Sequence, residues 1–73
     1  MRRFKIDDIV KMENGAEYLV LSVDGNWVQG SRLKSYATGL GISKVRRVIS
    51  NEPLQFVRHM ETEERKNLFV PKY

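Results

Sequence analysis

The fold is decided by residues 17–32, which read EYLVLSVDGNWVQGSR. Positions 18–23 are β-branched, aromatic or aliphatic apart from Ser22, a composition typical of a strand. Asp24-Gly25 follows, and this pair tolerates the positive φ angles that a tight hairpin turn requires. The stretch therefore predicts a β-hairpin to which the other strands and loops are added.

The predicted register fixes which hairpin residues share a face. With Asp24-Gly25 as the two loop residues, Leu21 lies opposite Val28 and Glu17 lies opposite Arg32. One face, the predicted core face, then carries Leu19, Leu21, Val23 and Val28. The other carries Tyr18, Val20, Ser22, Trp27 and Gln29. This second face is too apolar to be merely solvated, so it is either covered by the rest of a barrel or used for binding.

A chain of 73 residues predicts one domain, residues 1–73. The sequence has no cysteine, which excludes disulfides and thiolate metal sites and favours a reducing compartment. No apolar run is long enough for a signal peptide or a membrane span. These features predict a cytoplasmic protein that does not enter membranes.

Positive charge is concentrated in the middle of the chain. Residues 1–24 carry four basic and five acidic side chains, and residues 52–73 carry four of each. Residues 25–51 have no acid and five basic side chains: Arg32, Lys34, Lys44, Arg46 and Arg47. Such segregation is typical of a surface that meets phosphates or an acidic partner, although a basic segment also keeps a small domain dispersed.

Before the hairpin, residues 8–12 are predicted to form a strand that ends at the turn signal Asn14-Gly15. Asp7-Asp8 is predicted to form a turn or bulge in front of it. Neighbouring strand residues point to opposite faces, so this pair is a poor candidate for a catalytic dyad.

Residues 31–41 are compatible with two structures. Apolar residues at helical spacing allow a helix that starts at Ser31 and ends at Gly39 or Gly41. The favoured alternative continues the strand from Trp27 to about Tyr36 and leaves residues 38–41 as a flexible loop. That loop lacks the spacing and the βαβ context of a phosphate-binding loop.

Residues 42–50 are predicted to form another strand, and the C-terminal third again allows two interpretations. Asn51 can cap a helix with Pro53 in its first turn. Alternatively, residues 54–60 form a strand, residues 61–67 a charged turn, and residues 68–70 a last strand. The second interpretation is preferred because a five-stranded barrel needs a closing strand.

The sequence offers little for catalysis or for a cofactor. His59 is the only histidine, and without a second histidine or a cysteine it does not suggest a metal site. No serine lies in a nucleophile-elbow motif, and no two acids form an obvious catalytic pair. We therefore expect a non-enzymatic protein without metal or cofactor.

The order of strands and turns resembles an SH3-like barrel of the KOW or Tudor kind. The resemblance is carried by Ile9–Lys11, Asn14-Gly15, Tyr18–Val23, Asp24-Gly25 and Trp27–Gly30. Many small bacterial and phage regulatory proteins look like this. The resemblance implies an all-β, five-stranded barrel, here with a charged C-terminal turn or short helix, and it sets the fold without setting the function.

Two functions follow as hypotheses. In the first, the acid-free segment binds RNA or DNA: Arg32, Lys34, Lys44, Arg46 and Arg47 contact phosphates while Trp27 or Tyr36 stacks on a base. In the second, the same segment docks the protein, as an adaptor or inhibitor, on a larger acidic protein. Self-association through an open strand edge is a variant of the second.

Overall fold

The computed structural model describes residues 3–70 and consists mainly of β-strands. The strands are β1 (Asp8–Lys11), β2 (Glu17–Asp24), β3 (Trp27–Tyr36), β4 (Gly39–Ile42), β5 (Arg47–Ser50) and β6 (Gln55–His59). One short helix, α1 (Thr62–Lys66), follows them. The all-β prediction is confirmed. Within residues 3–70, no helix is long and apolar enough to cross a membrane.

The six strands form one antiparallel sheet with the order β4-β3-β2-β1-β6. Strand β3 is long enough to hold two neighbours on one side: Trp27–Gly30 pair with β5, and Leu33–Tyr36 pair with β4. The path of pairing ends at β4 and at β6, so the described residues do not close into a barrel. The sheet thus has six strands where five were predicted.

The additional strand comes from residues that were predicted to be a loop. The chain turns at Ala37-Thr38 alone, and β4 begins at once with Gly39, whose φ is 131°. The strand predicted at residues 42–50 is interrupted by residues 43–46 and resumes as β5. The glycines of β4 therefore lie in a strand, where the absence of a side chain lets another segment approach the backbone closely.

The central hairpin forms, but its turn lies one residue later than predicted, which moves the partner of each β2 residue beside the turn by two positions. Gly25-Asn26 is the two-residue loop, because Asp24 pairs with Trp27 and Val23 pairs with Val28. Gly25 has a φ of 58°, the positive value that the turn needs. The ladder also shifts between Val20 and Ser22, which makes Leu21 the extra residue of a β-bulge.

Both faces of β2 are buried, each in a different hydrophobic cluster. The first cluster contains Phe4, Val10, Tyr18, Val20, Val28 and Leu54. The second contains Ile9, Leu19, Leu33, Ile42 and Met60, with Leu21 packed against it. The prediction that Leu19 and Val28 share a core face is therefore wrong, and Val23 is 38% exposed. Tyr18 and Val20 are buried in the first cluster, whereas Trp27, predicted to share their face, is 54% exposed.

The N-terminal predictions agree with the structure. β1 spans Asp8–Lys11, and the chain turns after it with Gly15 at a φ of 89°. A turn also precedes β1, where Asp7 has a φ of 74°. Here Asp8 Oδ2 accepts a hydrogen bond from the backbone N–H of Lys5 at 2.8 Å.

The preferred strand over residues 54–60 is confirmed as β6, and the alternative helix starting at Asn51 is absent from the described chain. The charged stretch after β6 is the short helix α1, and residues 68–70 contribute one bridge, Gly41 to Phe69, in place of a last strand. Arg58 of β6 donates two hydrogen bonds to Glu64 of α1. These bonds hold the pKa of Glu64 below its ordinary value and raise that of Arg58.

Candidate nucleic-acid interface

Three of the predicted contact residues alternate along the second half of β3. Arg32, Lys34 and Tyr36 are two positions apart, so they project from the same face of the strand. The opposite face carries Leu33, which is buried in the second cluster. Arg32 and Lys34 are exposed and Tyr36 is half-buried. The structure therefore presents two cations and an aromatic ring in a row.

The row is extended by Phe69, which the sequence did not single out. Its ring packs edge-on against Tyr36, with centroids 5.2 Å apart and planes at 74°. The backbone of Phe69 is fixed on β4: Ile42 N donates to Phe69 O at 2.9 Å, and Phe69 N donates to Leu40 O at 3.1 Å. Phe69 is 46% exposed, so the Tyr36–Phe69 pair offers aromatic surface next to Lys34.

Gly41 allows this aromatic pair to form. It lies opposite Lys34 in the β3–β4 ladder. A Cβ atom at this position would lie 2.6 Å from the carbonyl oxygen of Phe69 and 2.7 Å from Cε2 of Tyr36. Only glycine leaves room for the Tyr36 ring and the Phe69 backbone at this point.

Arg47 joins the same face from β5. It pairs with Gly30, which lies two positions before Arg32. Its Nη1 donates a hydrogen bond to the hydroxyl of Tyr18 at 3.3 Å, and Tyr18 lies directly opposite Arg32. The predicted pairing of Glu17 with Arg32 is wrong, because Tyr18 takes the position opposite Arg32. Arg32 therefore has a neutral residue across the β2–β3 ladder, and Glu17 lies opposite Lys11 of β1.

The loop 43–46 brings the last two predicted cations beside Arg32. The backbone N–H of Ser43 donates to Arg32 O at 2.9 Å, and Ser31 Oγ donates to Val45 O at 3.3 Å. Lys44 and Arg46 are exposed in this loop. We call the five cations Arg32, Lys34, Lys44, Arg46 and Arg47 the basic surface.

Trp27 is separated from the row on β3. It lies at an odd position of the strand, so its ring projects from the face opposite Arg32 and Lys34. It is 54% exposed in a groove with Val48, Asp24 and the hydrogen-bonded pair Ser22–Gln29. The structure thus brings Tyr36 together with the cations of β3 and leaves Trp27 apart from them.

Among the residues that the structure describes, no three His, Asp or Glu side chains cluster as they would around a metal ion. His59 instead contacts Asp8, with Nδ1 and Oδ1 2.7 Å apart. Protein-family models, curated proteins and solved structures contain no significant match to this chain.

Proposed function

We propose that this chain is a non-enzymatic module that binds single-stranded RNA or DNA through the basic surface. The observation that carries the proposal is the row Arg32, Lys34 and Tyr36 with Phe69 beside it. Cations that attract the phosphate backbone, next to exposed rings on which bases stack, are the two parts that single-strand binding uses. Stacking is assigned to the Tyr36–Phe69 pair, and Trp27 takes no part in it.

We also propose that the sheet is a variant of the SH3-like barrel. Two features support this class: the first strand pairs with the last, and β2, β3 and β4 form a meander of consecutive antiparallel strands. This class concerns the fold alone, and the function is argued from the basic surface.

Titration of a labelled single-stranded oligonucleotide tests the electrostatic part. If all five cations of the basic surface contact phosphates, log K falls with log salt at a slope of about −3.5, so affinity drops about 100-fold between 50 and 200 mM salt. Lys34→Gln should make the slope shallower by about 0.7, the share of one phosphate contact.

Lys11→Gln is the matched control for this titration. Lys11 is also an exposed strand lysine, but it lies opposite Glu17 and outside the basic surface. The control should leave the slope unchanged. Equal slopes for the two variants would show that only net charge matters, and absence of binding at low salt would refute the proposal.

Exchange of aromatic residues tests the stacking part. Phe69→Leu should weaken oligonucleotide binding about 5- to 100-fold, the usual value of one stacked base. Trp27→Leu removes a comparably exposed ring from the opposite face of the sheet and should change affinity less than twofold. Fluorescence anisotropy at constant salt measures both. A larger loss of affinity with Trp27→Leu than with Phe69→Leu would place the stacking site on the other face of the sheet.

A protein-interaction role, as an adaptor or inhibitor on an acidic partner, is the second candidate. It is favoured by the groove around Trp27 and Val48, which exposes apolar side chains in addition to the basic surface: Val48 is 60% exposed and Trp27 is 54% exposed. Exposed apolar side chains in such a patch are typical of protein contacts. The oligonucleotide titration distinguishes the two functions. If the protein does not bind the oligonucleotide at low salt, an acidic protein becomes the expected partner of the basic surface.

A further inference from the structure

A second groove lies at the other end of the strand order, against β1 and β6. It is lined by Arg3, Lys5, Asp8, Phe56 and His59. None of these residues belongs to the basic surface. The groove is open to solvent and combines three side chains that can carry positive charge, one buried carboxylate and one aromatic ring.

The carboxylate of Asp8 fixes the imidazole of His59. The Asp8 side chain is only 7% exposed, while that of His59 is 57% exposed. Asp8 Oδ1 lies 2.7 Å from Nδ1 of His59, and Oδ2 accepts the backbone N–H of Lys5. Because Nδ1 donates to the carboxylate, Nε2 is the ring nitrogen left for a ligand. Both carboxylate oxygens of Asp8 therefore already accept hydrogen bonds, and the role of Asp8 is to orient His59.

The backbone in front of Asp8 is strained. Asp7 has a φ of 74°, in the left-handed region that residues other than glycine seldom adopt. Hydrogen bonds from Asp7 N to Val20 O at 2.9 Å and from Met60 N to Asp7 O at 2.8 Å hold it there. This turn places Asp8 at the start of β1, directly opposite His59 of β6.

The remaining lining defines the ligand. Arg3 and Lys5 are cations, and Nε2 of His59 is a third nitrogen in the groove, which donates to a phosphate when the ring carries both protons. Phe56 on β6 is 44% exposed and supplies a flat apolar surface. Cations suit a phosphate, and an exposed ring suits a nucleobase. We propose that this groove binds a phosphorylated nucleoside, with the phosphate at Arg3, Lys5 and His59 and the base on Phe56.

The same chemistry occurs in a free mononucleotide and in the 5′-phosphorylated end of a strand. The first experiment uses adenosine monophosphate with the whole chain and follows backbone and histidine resonances by NMR. We expect the resonances of His59 and Phe56 to shift on titration. Adenosine and inorganic phosphate, which each supply half of the ligand, should bind at least 10-fold more weakly.

Variants separate the two halves of the groove. His59→Gln should lower the affinity for adenosine monophosphate about 10-fold, because a charge-assisted hydrogen bond to the phosphate is lost. Phe56→Leu should lower the affinity for adenosine monophosphate and leave the affinity for inorganic phosphate unchanged. Lys11→Gln, which removes a charge outside both the groove and the basic surface, should change neither. Amide spectra that match the parent protein establish that each variant is folded.

Two outcomes would overturn the proposal: shifts that fail to involve His59 and Phe56, or equal affinity for adenosine monophosphate and inorganic phosphate. A 5′-phosphorylated oligonucleotide then identifies the source. Binding at least 10-fold tighter than that of the 5′-hydroxyl strand, and lost with His59→Gln, assigns the groove to strand ends. Equal binding of the two strands assigns it to free nucleotides. Because the readout is the resonances of His59 and Phe56, which lie outside the basic surface, this test can fail while the proposed oligonucleotide binding holds.

Discussion

Replacing Leu19 with alanine is expected to destabilise the domain by about 3 kcal/mol, a typical cost for a fully buried leucine. Leu19 is completely buried, and its neighbours in the second cluster include Leu33 of β3 and Met60 beyond β6. A domain of this size is stabilised by only about 3–5 kcal/mol from its core. The substitution should therefore leave a large fraction of molecules unfolded at physiological temperature.

Urea denaturation followed by circular dichroism measures this effect. Val45→Ala is the control, because Val45 is 65% exposed and its truncation should cost less than about 0.5 kcal/mol. If the two variants shifted the midpoint equally, the second cluster would not contribute to stability as its burial indicates.

Replacing Gly41 with alanine should separate the C-terminal segment from β4. The added Cβ would meet the Phe69 carbonyl oxygen at 2.6 Å, and backbone cannot move aside as a flexible side chain can. We expect a loss of about 1–3 kcal/mol, as for overpacked positions, together with a fall in oligonucleotide affinity like that of Phe69→Leu. A single added methyl group should thus lower both the stability of the domain and its affinity for the oligonucleotide.

Amide hydrogen exchange locates the change. The N–H of Ile42 and of Phe69 take part in the two bonds that join β4 to residues 68–70, so both should exchange faster. Ser35→Ala, at an exposed position of β3, is the control and should leave both amides protected. Full protection of Ile42 in the Gly41→Ala variant would mean that the segment accommodates the methyl group.

The features that could be predicted from sequence are those set by neighbouring residues. The hairpin, the turn at Asn14-Gly15 and the strand Gln55–His59 follow from local turn chemistry and from runs of strand-forming residues. The register could not be fixed, because Asp24-Gly25 and Gly25-Asn26 both provide a glycine for the turn. Strand β4 was missed because Gly41 has its role only once Phe69, far along the chain, lies on it.

The candidate site was predictable to the same extent. The acid-free segment identified all five cations of the basic surface, since charge segregation is visible in the sequence. Trp27 was expected to share a face with Tyr18 and Val20, but the β-bulge at Leu21 separates them, so that Trp27 lies opposite Asp24 while Tyr18 and Val20 join the first cluster. Phe69 and the Asp8–His59 contact required tertiary pairing that no local pattern encodes.

The pairing of β1 with β6 has a consequence for the order of folding. Asp8 and His59 are 51 positions apart, and contacts between such distant residues form slowly because a long loop must close first. We expect the β2–β3 hairpin to form early and β6 to dock late. A chain still emerging from the ribosome can hold the hairpin but lacks one wall of the groove at Asp8 until residues 55–59 arrive. The contact between His59 and Asp8 should therefore form late, and its formation marks the completion of folding.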